Sequence, residues 1–166
     1  MQLHEWLQET TAVLPQFFSQ RDEDDSPFDD TIPRPIPPVS PDAPTILVVD
    51  DDLANLALAE AMLQAEGFQV RVAIDAPSTF KVLKTVTPAL ILMDIQLPEM
   101  DGWELTRKLK ADPATREIPV IAITAYGKSG DEKKAKQAGF VEFLAKPVST
   151  RDLPEIVRRH LVPPVR

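Results

Sequence analysis

Short apolar runs alternate with longer amphipathic segments from Thr45 almost to the end of the 166-residue chain. The apolar runs predict five strands, at residues 46–50, 69–73, 89–94, 120–124 and 141–145. The amphipathic segments predict five helices, at about residues 53–66, 76–86, 102–111, 128–138 and 152–162. Regular alternation of strands with helices is typical of an α/β protein, in which a parallel sheet is covered by helices on both faces.

Residues suited to helix ends support these boundaries. Gly67 and Gly139 come directly after predicted helices, where the chain often adopts the left-handed conformation that glycine tolerates. Asp75 and Asp101 stand where a side chain is expected to cap a helix N-terminus. For the last helix we expect Asp152 to be the cap residue.

The number of strand-helix units favours one sheet topology. The flavodoxin-like order 2-1-3-4-5 suits five such units and places the first and third strands side by side. Proteins of this class bind ligands at the carboxyl ends of the strands, where the strand order reverses. We therefore predict a flavodoxin-like (βα)5 fold, with a mostly disordered N-terminal extension.

The N-terminal quarter of the chain differs from the rest in charge and in proline content. Residues 1–44 contain two Lys or Arg against nine Asp or Glu, whereas the remaining chain is nearly neutral. Such polar, proline-rich sequence does not bury a core. We predict a short amphipathic segment at 1–18, an acidic and proline-rich linker at 19–44, and one domain at 45–166.

Composition also excludes several classes of protein. The chain contains no cysteine, so it forms no disulfide and no thiolate metal site. No apolar stretch is long enough to span a membrane, and no signal peptide is recognisable, so we expect a cytoplasmic protein without membrane contact. Basic residues form no stripe, and we therefore expect no direct contact with nucleic acid.

Polar residues follow four of the five predicted strands. Asp50 ends the first and Asp51 follows it, Asp94 ends the third, Thr124 ends the fourth and Lys146 follows the fifth. Singly, each residue type is common at a strand end. Together, three carboxylates, a hydroxyl and an ammonium group supply what metal-dependent phosphoryl transfer requires. Neighbouring carboxylates disfavour each other's ionisation, which is a further reason to expect a divalent cation among them.

Four segments of the chain resemble the signature segments of response-regulator receiver domains, the CheY-like phosphorylation modules of two-component signalling. They are ILVVDDD (46–52), LILMDIQLPEMDGWE (90–104), VIAITAY (120–126) and FLAKPV (143–148). The resemblance covers residues 45 to about 162. It implies a single-domain response regulator with an N-terminal extension and no output domain. Such a protein is not an enzyme in the usual sense, since it catalyses only its own phosphorylation and dephosphorylation.

The resemblance also assigns roles to individual residues. It implies that Asp94 accepts a phosphoryl group from a histidine kinase or a histidine phosphotransfer protein. Asp50, Asp51, Asp94 and the backbone carbonyl of Gln96 would bind Mg²⁺, and Lys146 would pair with the phosphoryl oxygens. Such modules are controlled by the phosphoryl group itself.

A switch is implied as well. Thr124 would be drawn towards the phosphoryl group, and Phe143 would rotate inward and change the contacts made with a downstream protein target. Family members also have a cis peptide bond after the lysine, here between Lys146 and Pro147. Asp52 is expected to cap the first helix rather than bind metal.

Three other functions share part of this pattern. A phosphatase of the haloacid-dehalogenase type requires a second aspartate two residues after the first, where this chain has Gln96. A flavodoxin-type binder needs hydroxyls and glycine after the first strand rather than three aspartates. A receiver-like interaction module that acts without phosphorylation remains the alternative, because the residues alone do not exclude it.

Overall fold

The computed structural model describes residues 38–125 and 131–161. The predicted segment 1–18 and most of the predicted linker therefore lie outside the described residues. None of the helices within the two described ranges is long and apolar enough to cross a membrane.

Five strands and five helices alternate along the described ranges. The strands are β1 Thr45–Val49, β2 Gln69–Ala73, β3 Leu90–Asp94, β4 Val120–Thr124 and β5 Glu142–Ala145. The helices are α1 Leu53–Ala65, α2 Ala76–Leu83, α3 Gly102–Ala111, α4 Asp131–Ala138 and α5 Asp152–Leu161. The strands agree with the predicted ones to within one residue at each end.

Helix α2 ends three residues earlier than predicted. The amides of Thr85 and Val86 both bond to the Val82 carbonyl, so the chain closes a turn instead of continuing the helix. Consecutive β-branched residues are weak helix formers, and the residue before Pro88 is disfavoured in the helical conformation. The sequence carries both signals.

All strands of the sheet are parallel, in the order β2-β1-β3-β4-β5. This confirms the flavodoxin-like topology. Strands β1 and β3 are neighbours, and Val49 pairs with Met93. Asp50 and Asp94, which follow these paired residues, therefore emerge at the same edge of the sheet.

Helices cover both faces of the sheet. On one face, Leu47, Val49, Ile91 and Met93 pack in a cluster with residues of α2, α3 and α4. On the other, Ile46, Val48, Leu90 and Leu92 pack with residues of α1 and α5. Burial of each such side chain stabilises the fold by about 1.5–3 kcal/mol. Strands β1 and β3 are buried on both faces, and this packing fixes where the residues at their carboxyl ends emerge.

Most predicted helix ends are confirmed. Gly67 and Gly139 have φ angles of +88° and +100°. Asp52, Asp75 and Asp101 each accept a hydrogen bond from a backbone amide of the helix that follows. These side chains satisfy donors that a helix N-terminus leaves unpaired.

The predicted cap of the last helix was wrong. Helix α5 begins at Asp152 itself, so that residue is part of the helix. The Ser149 hydroxyl instead accepts the Asp152 amide at 3.3 Å, and the Ser149 carbonyl accepts the Leu153 amide at 3.1 Å. Serine is as good a cap as aspartate, and it comes first in the chain.

The residues just before β1 contact the sheet. The Gln69 side chain donates hydrogen bonds to the carbonyls of Ser40 and Pro41, at 3.1 and 2.7 Å, and the Gln69 amide bonds to the Pro44 carbonyl. The chain thus enters the domain beside the start of β2, at the amino end of the strands.

Candidate functional site

Asp50 follows β1 and is held by three donors. Its side chain is almost completely buried. Oδ1 accepts the Asp52 amide at 2.8 Å, while Oδ2 accepts Lys146 Nζ at 2.9 Å and Asn55 Nδ2 at 3.2 Å. These three hydrogen bonds fix the orientation of the Asp50 carboxylate.

Asp94 is the last residue of β3 and is only 4% exposed. Its Oδ1 accepts the Gln96 amide at 2.9 Å, and its Oδ2 accepts Lys146 Nζ at 2.9 Å. Burial raises the pKa of Asp94, and the nearby Asp50 charge adds to this increase. The hydrogen bonds from Lys146 and Gln96 lower the pKa and so offset part of the effect.

Lys146 bridges the two carboxylates. Its backbone amide bonds to the Thr124 carbonyl at 2.6 Å, and its peptide bond to Pro147 is cis, as the family resemblance implied. Burial alone would lower the pKa of Lys146, but its bonds to Asp50 and Asp94 outweigh burial and raise that pKa. The ammonium group is therefore charged throughout the neutral range.

Three carboxylates converge where a cation would bind. Oxygen atoms of Asp50, Asp51 and Asp94 all lie within 4.8 Å of one another. In an octahedral Mg²⁺ site the ligand oxygens are separated by about 3 Å (adjacent) and about 4 Å (opposite), given metal–oxygen distances of about 2.1 Å. Small side-chain rotations would bring these hard oxygen donors to that spacing, so the residues fit Mg²⁺. Asp51 is exposed and lines an open cleft with Gln96, which leaves room for water ligands.

The two predicted switch residues lie on the neighbouring strands. Thr124 ends β4, is 4% exposed and pairs with Ala145 of β5. Phe143 lies on β5, is half-buried and packs against the core cluster on the α4 side of the sheet. The structure thus brings Thr124 close to the backbone of Lys146 and puts Phe143 at the outer strand. Rotation of Phe143 stays a prediction.

The loop after Asp94 is closed by a glycine that the sequence analysis did not single out. The Gly102 amide bonds to the Ile95 carbonyl at 2.9 Å. A Cβ atom on Gly102 would lie 2.3 Å from the Asp94 carbonyl oxygen. Helix α3 can therefore start directly against the backbone of Asp94 because residue 102 has no side chain.

Sequence reasoning also missed Asn55 and an apolar pocket beside the acidic cluster. The pocket has a volume of about 380 Å³ and extends from Asp94 to a wall that includes Leu58, Met62 and Val148. The position of Asn55, in the first turn of α1, was the available signal for its contact with Asp50. No sequence pattern indicated the pocket, because its walls come from separate parts of the chain.

We predict that replacing Lys146 by methionine lowers the free energy of unfolding by about 2 kcal/mol at neutral pH, since hydrogen bonds to charged groups contribute about 1.5–3 kcal/mol. The loss should shrink as the pH falls. The folded-state pKa of Asp94 is raised, so its carboxyl becomes protonated on acidification and no longer needs the ammonium group. Because the pKa of Lys146 is raised, its ammonium group stays charged at neutral pH. The hydrogen bonds of Lys146 therefore contribute fully to the free energy of unfolding of the wild-type protein there. Urea unfolding at several pH values measures both effects.

Lys108→Met is the matched control. Lys108 forms a 3.6 Å ion pair with Glu104 on the surface of α3, with both side chains about half exposed. Such pairs contribute about 0.5 kcal/mol or less. Equal losses of unfolding free energy in the two variants would show that the Lys146 bridge between Asp50 and Asp94 stabilises the fold no more than an exposed ion pair does.

Comparison with known proteins agrees with this architecture. The sequence profile of the response regulator receiver domain matches residues 46–158. Response regulator PleD of Caulobacter vibrioides is 46% identical over 103 residues, which make up 62% of this chain and 23% of PleD. Polar-differentiation response regulator DivK of Brucella anthropi is 35% identical over 117 residues, which make up 70% of this chain and 95% of DivK. The chain thus spans less than a quarter of PleD but nearly all of DivK.

A solved structure gives the same result. The receiver domain of the sensor histidine kinase PA1611 from Pseudomonas aeruginosa PAO1, crystallised with a magnesium ion in its active site cleft, is 34% identical to this chain. It superimposes with a TM-score of 0.65, over 72% of this chain and 98% of that domain. The fold, the carboxyl-edge cluster and the family match lead to one conclusion. The chain belongs to the response regulator receiver domains of two-component signalling.

Proposed function

We propose that this chain is a response regulator whose Asp94 accepts a phosphoryl group from a histidine kinase or a histidine phosphotransfer protein, in a reaction that requires Mg²⁺. One observation carries the proposal. The ammonium group of Lys146 lies 2.9 Å from a carboxylate oxygen of both Asp50 and Asp94, which are themselves nearly buried.

Asp94 is the nucleophile in this proposal. One of its carboxylate oxygens attacks phosphorus, the bond between phosphorus and the donor's imidazole nitrogen breaks, and an acyl phosphate forms on Asp94. The side chain must be ionised to attack. Lys146 and the Gln96 amide favour the ionised form against the effect of burial, and they also fix its orientation.

Asp50, Asp51, Asp94 and the Gln96 carbonyl would hold Mg²⁺. When bound, Mg²⁺ neutralises the charge on the phosphoryl oxygens during transfer. Asp50 and Asp51 thus contribute by binding the cation, and they need not contact phosphorus. Their position directly after β1, the neighbour of β3, puts a carboxylate oxygen of each within 4.8 Å of one on Asp94.

Lys146, Thr124 and Phe143 would respond to the product. The ammonium group of Lys146 already contacts Asp94, so rotation of its side chain brings it to the phosphoryl oxygens. Thr124 moves towards the same oxygens, and Phe143 turns inward from its half-buried position on β5. These changes alter the surface offered to a downstream protein target.

The test uses the full chain and acetyl phosphate, a small-molecule phosphodonor. We expect the intact mass to increase by one phosphoryl group when Mg²⁺ is present and not when EDTA replaces it. Absence of the phosphorylated species with both acetyl phosphate and phosphoramidate, at saturating Mg²⁺, would contradict the proposal. That outcome would favour an interaction module that acts without phosphorylation.

A further inference from the structure

Asn55, in the first turn of α1, contacts the acidic cluster from the helix side. Its Nδ2 lies 3.2 Å from Asp50 Oδ2. A carboxylate only accepts hydrogen bonds, so the amide nitrogen, and not the amide oxygen, must face it. A neutral donor from α1 therefore acts on the same oxygen of Asp50 as the charged donor Lys146.

The start of α1 fixes the backbone of Asn55. Asp52 Oδ1 accepts the Ala54 amide at 2.8 Å and the Asn55 amide at 3.4 Å, and the Asp52 carbonyl accepts the Leu56 amide. Leu56 is buried in the core, which anchors this turn against the sheet. The cap thus turns the chain back, so that the Asn55 side chain reaches the end of β1.

The donors around Asp50 differ in what else they contact. The Asp52 amide bonds to Oδ1 and cannot leave, because the backbone is fixed by the helix cap. Lys146 bonds to Oδ2 but also to Asp94. In the proposed reaction Lys146 turns to the phosphoryl oxygens and gives up its hydrogen bond to Asp50 Oδ2. Asn55 then remains on Oδ2.

We propose that Asn55 is a positioning residue that holds the Asp50 carboxylate in the orientation required to bind Mg²⁺, before phosphorylation as well as when Lys146 turns to the phosphoryl group. The inference rests on the proposed function. Because the amide carries no charge, it orients Asp50 without repelling a cation, which a lysine or arginine at this position would do. Without Asn55, the carboxylate is held at Oδ1 alone once Lys146 has moved.

The test compares Asn55→Ala with Gln64→Ala in the full chain. Gln64 lies on the same helix, and its Nε2 also donates to a carboxylate, that of Glu60, at 3.1 Å. Both variants thus lose an amide-carboxylate hydrogen bond from α1, but only one loses it at the acidic cluster. Two quantities are measured: the Mg²⁺ dissociation constant by calorimetry, and the rate of phosphorylation by acetyl phosphate as a function of Mg²⁺ concentration.

We expect Asn55→Ala to raise the Mg²⁺ dissociation constant by about ten-fold, at the low end of the 10–100-fold effect of residues that orient metal ligands. The rate at saturating Mg²⁺ should stay within about two-fold of wild type, because Asn55 does not contact the reacting atoms. Gln64→Ala should leave both quantities unchanged.

Two results would overturn the inference. One is an unchanged Mg²⁺ dissociation constant in Asn55→Ala. The other is a rate that stays low at saturating Mg²⁺, since Asn55 also borders the apolar pocket and would then act on the phosphodonor. Failure of the proposed function is a separate outcome, because in that case the wild-type chain itself would bind Mg²⁺ without becoming phosphorylated, or would not bind it.

Discussion

Replacing Asp94 by asparagine is expected to abolish phosphorylation of this chain and to leave the domain folded. The amide has nearly the shape of the carboxyl group but is no nucleophile. Burial raises the pKa of Asp94, so ionisation of this carboxyl group opposes folding. Because asparagine carries no charge, the thermal midpoint of Asp94→Asn in metal-free buffer should be equal to that of wild type or higher. Intact mass after treatment with acetyl phosphate, and thermal unfolding, measure the two effects.

The same variant should lose most of its response to Mg²⁺. A ligand that binds only the folded state stabilises it, by about 2.7 kcal/mol at a concentration 100 times its dissociation constant. We therefore expect Mg²⁺ to raise the midpoint of wild type much more than that of Asp94→Asn. Asp42→Asn is the control, since Asp42 is exposed and lies before β1. Phosphorylation of Asp94→Asn at the wild-type rate would disprove the assignment of Asp94.

Replacing Gly102 by alanine is expected to damage both stability and phosphorylation. The new Cβ would lie 2.3 Å from the Asp94 carbonyl oxygen and 2.9 Å from Ile95 Cα, and both of these are backbone atoms that cannot rotate away. Overpacking of this kind costs about 1–3 kcal/mol, and we expect the upper end. For a domain of this size that corresponds to a midpoint lower by roughly 10 °C. Displacement of Asp94 should also slow phosphorylation and weaken Mg²⁺ binding.

Gly67→Ala separates the effect on the site from a general loss of stability. Gly67 has a φ angle of +88°, and an added Cβ would have no atom within 4 Å apart from its chain neighbours, so alanine there meets backbone strain but no clash. That strain costs about 1–2 kcal/mol. We expect Gly67→Ala to be less stable than wild type and to accept a phosphoryl group at the wild-type rate. A Gly102→Ala protein with wild-type stability and rate would show that α3 can shift away from Asp94.

The fold was predictable because its signals are local and repeated. Strands β1, β3 and β4 are short and almost entirely apolar, and the polar residues at their carboxyl ends mark where the apolar runs stop. Once β1 and β3 are neighbours, the approach of Asp50 to Asp94 follows from the parallel register. The order of the strands itself came from a general rule for α/β sheets, and not from any single residue.

What escaped prediction depends on contacts between separate parts of the chain. The apolar pocket is lined by α1 together with residues that follow β5, and neither segment alone indicates it. Gly102 looks in the sequence like an ordinary residue after a helix cap, and only the path of β3 shows that it touches Asp94. Ser149 and Asp152 are three residues apart, and both residue types are good helix caps. The type of side chain therefore does not show which of the two caps α5.

The most direct test of the central claim is to locate the phosphoryl group. Borohydride reduces an acyl phosphate on aspartate to homoserine, which marks the residue for peptide mass mapping. After treatment of the full chain with acetyl phosphate and Mg²⁺, we predict homoserine at position 94, and at no other aspartate. Homoserine at Asp50 or Asp51, or no homoserine in a chain whose mass shows that it has gained a phosphoryl group, would contradict the assignment of Asp94 as the phosphoacceptor.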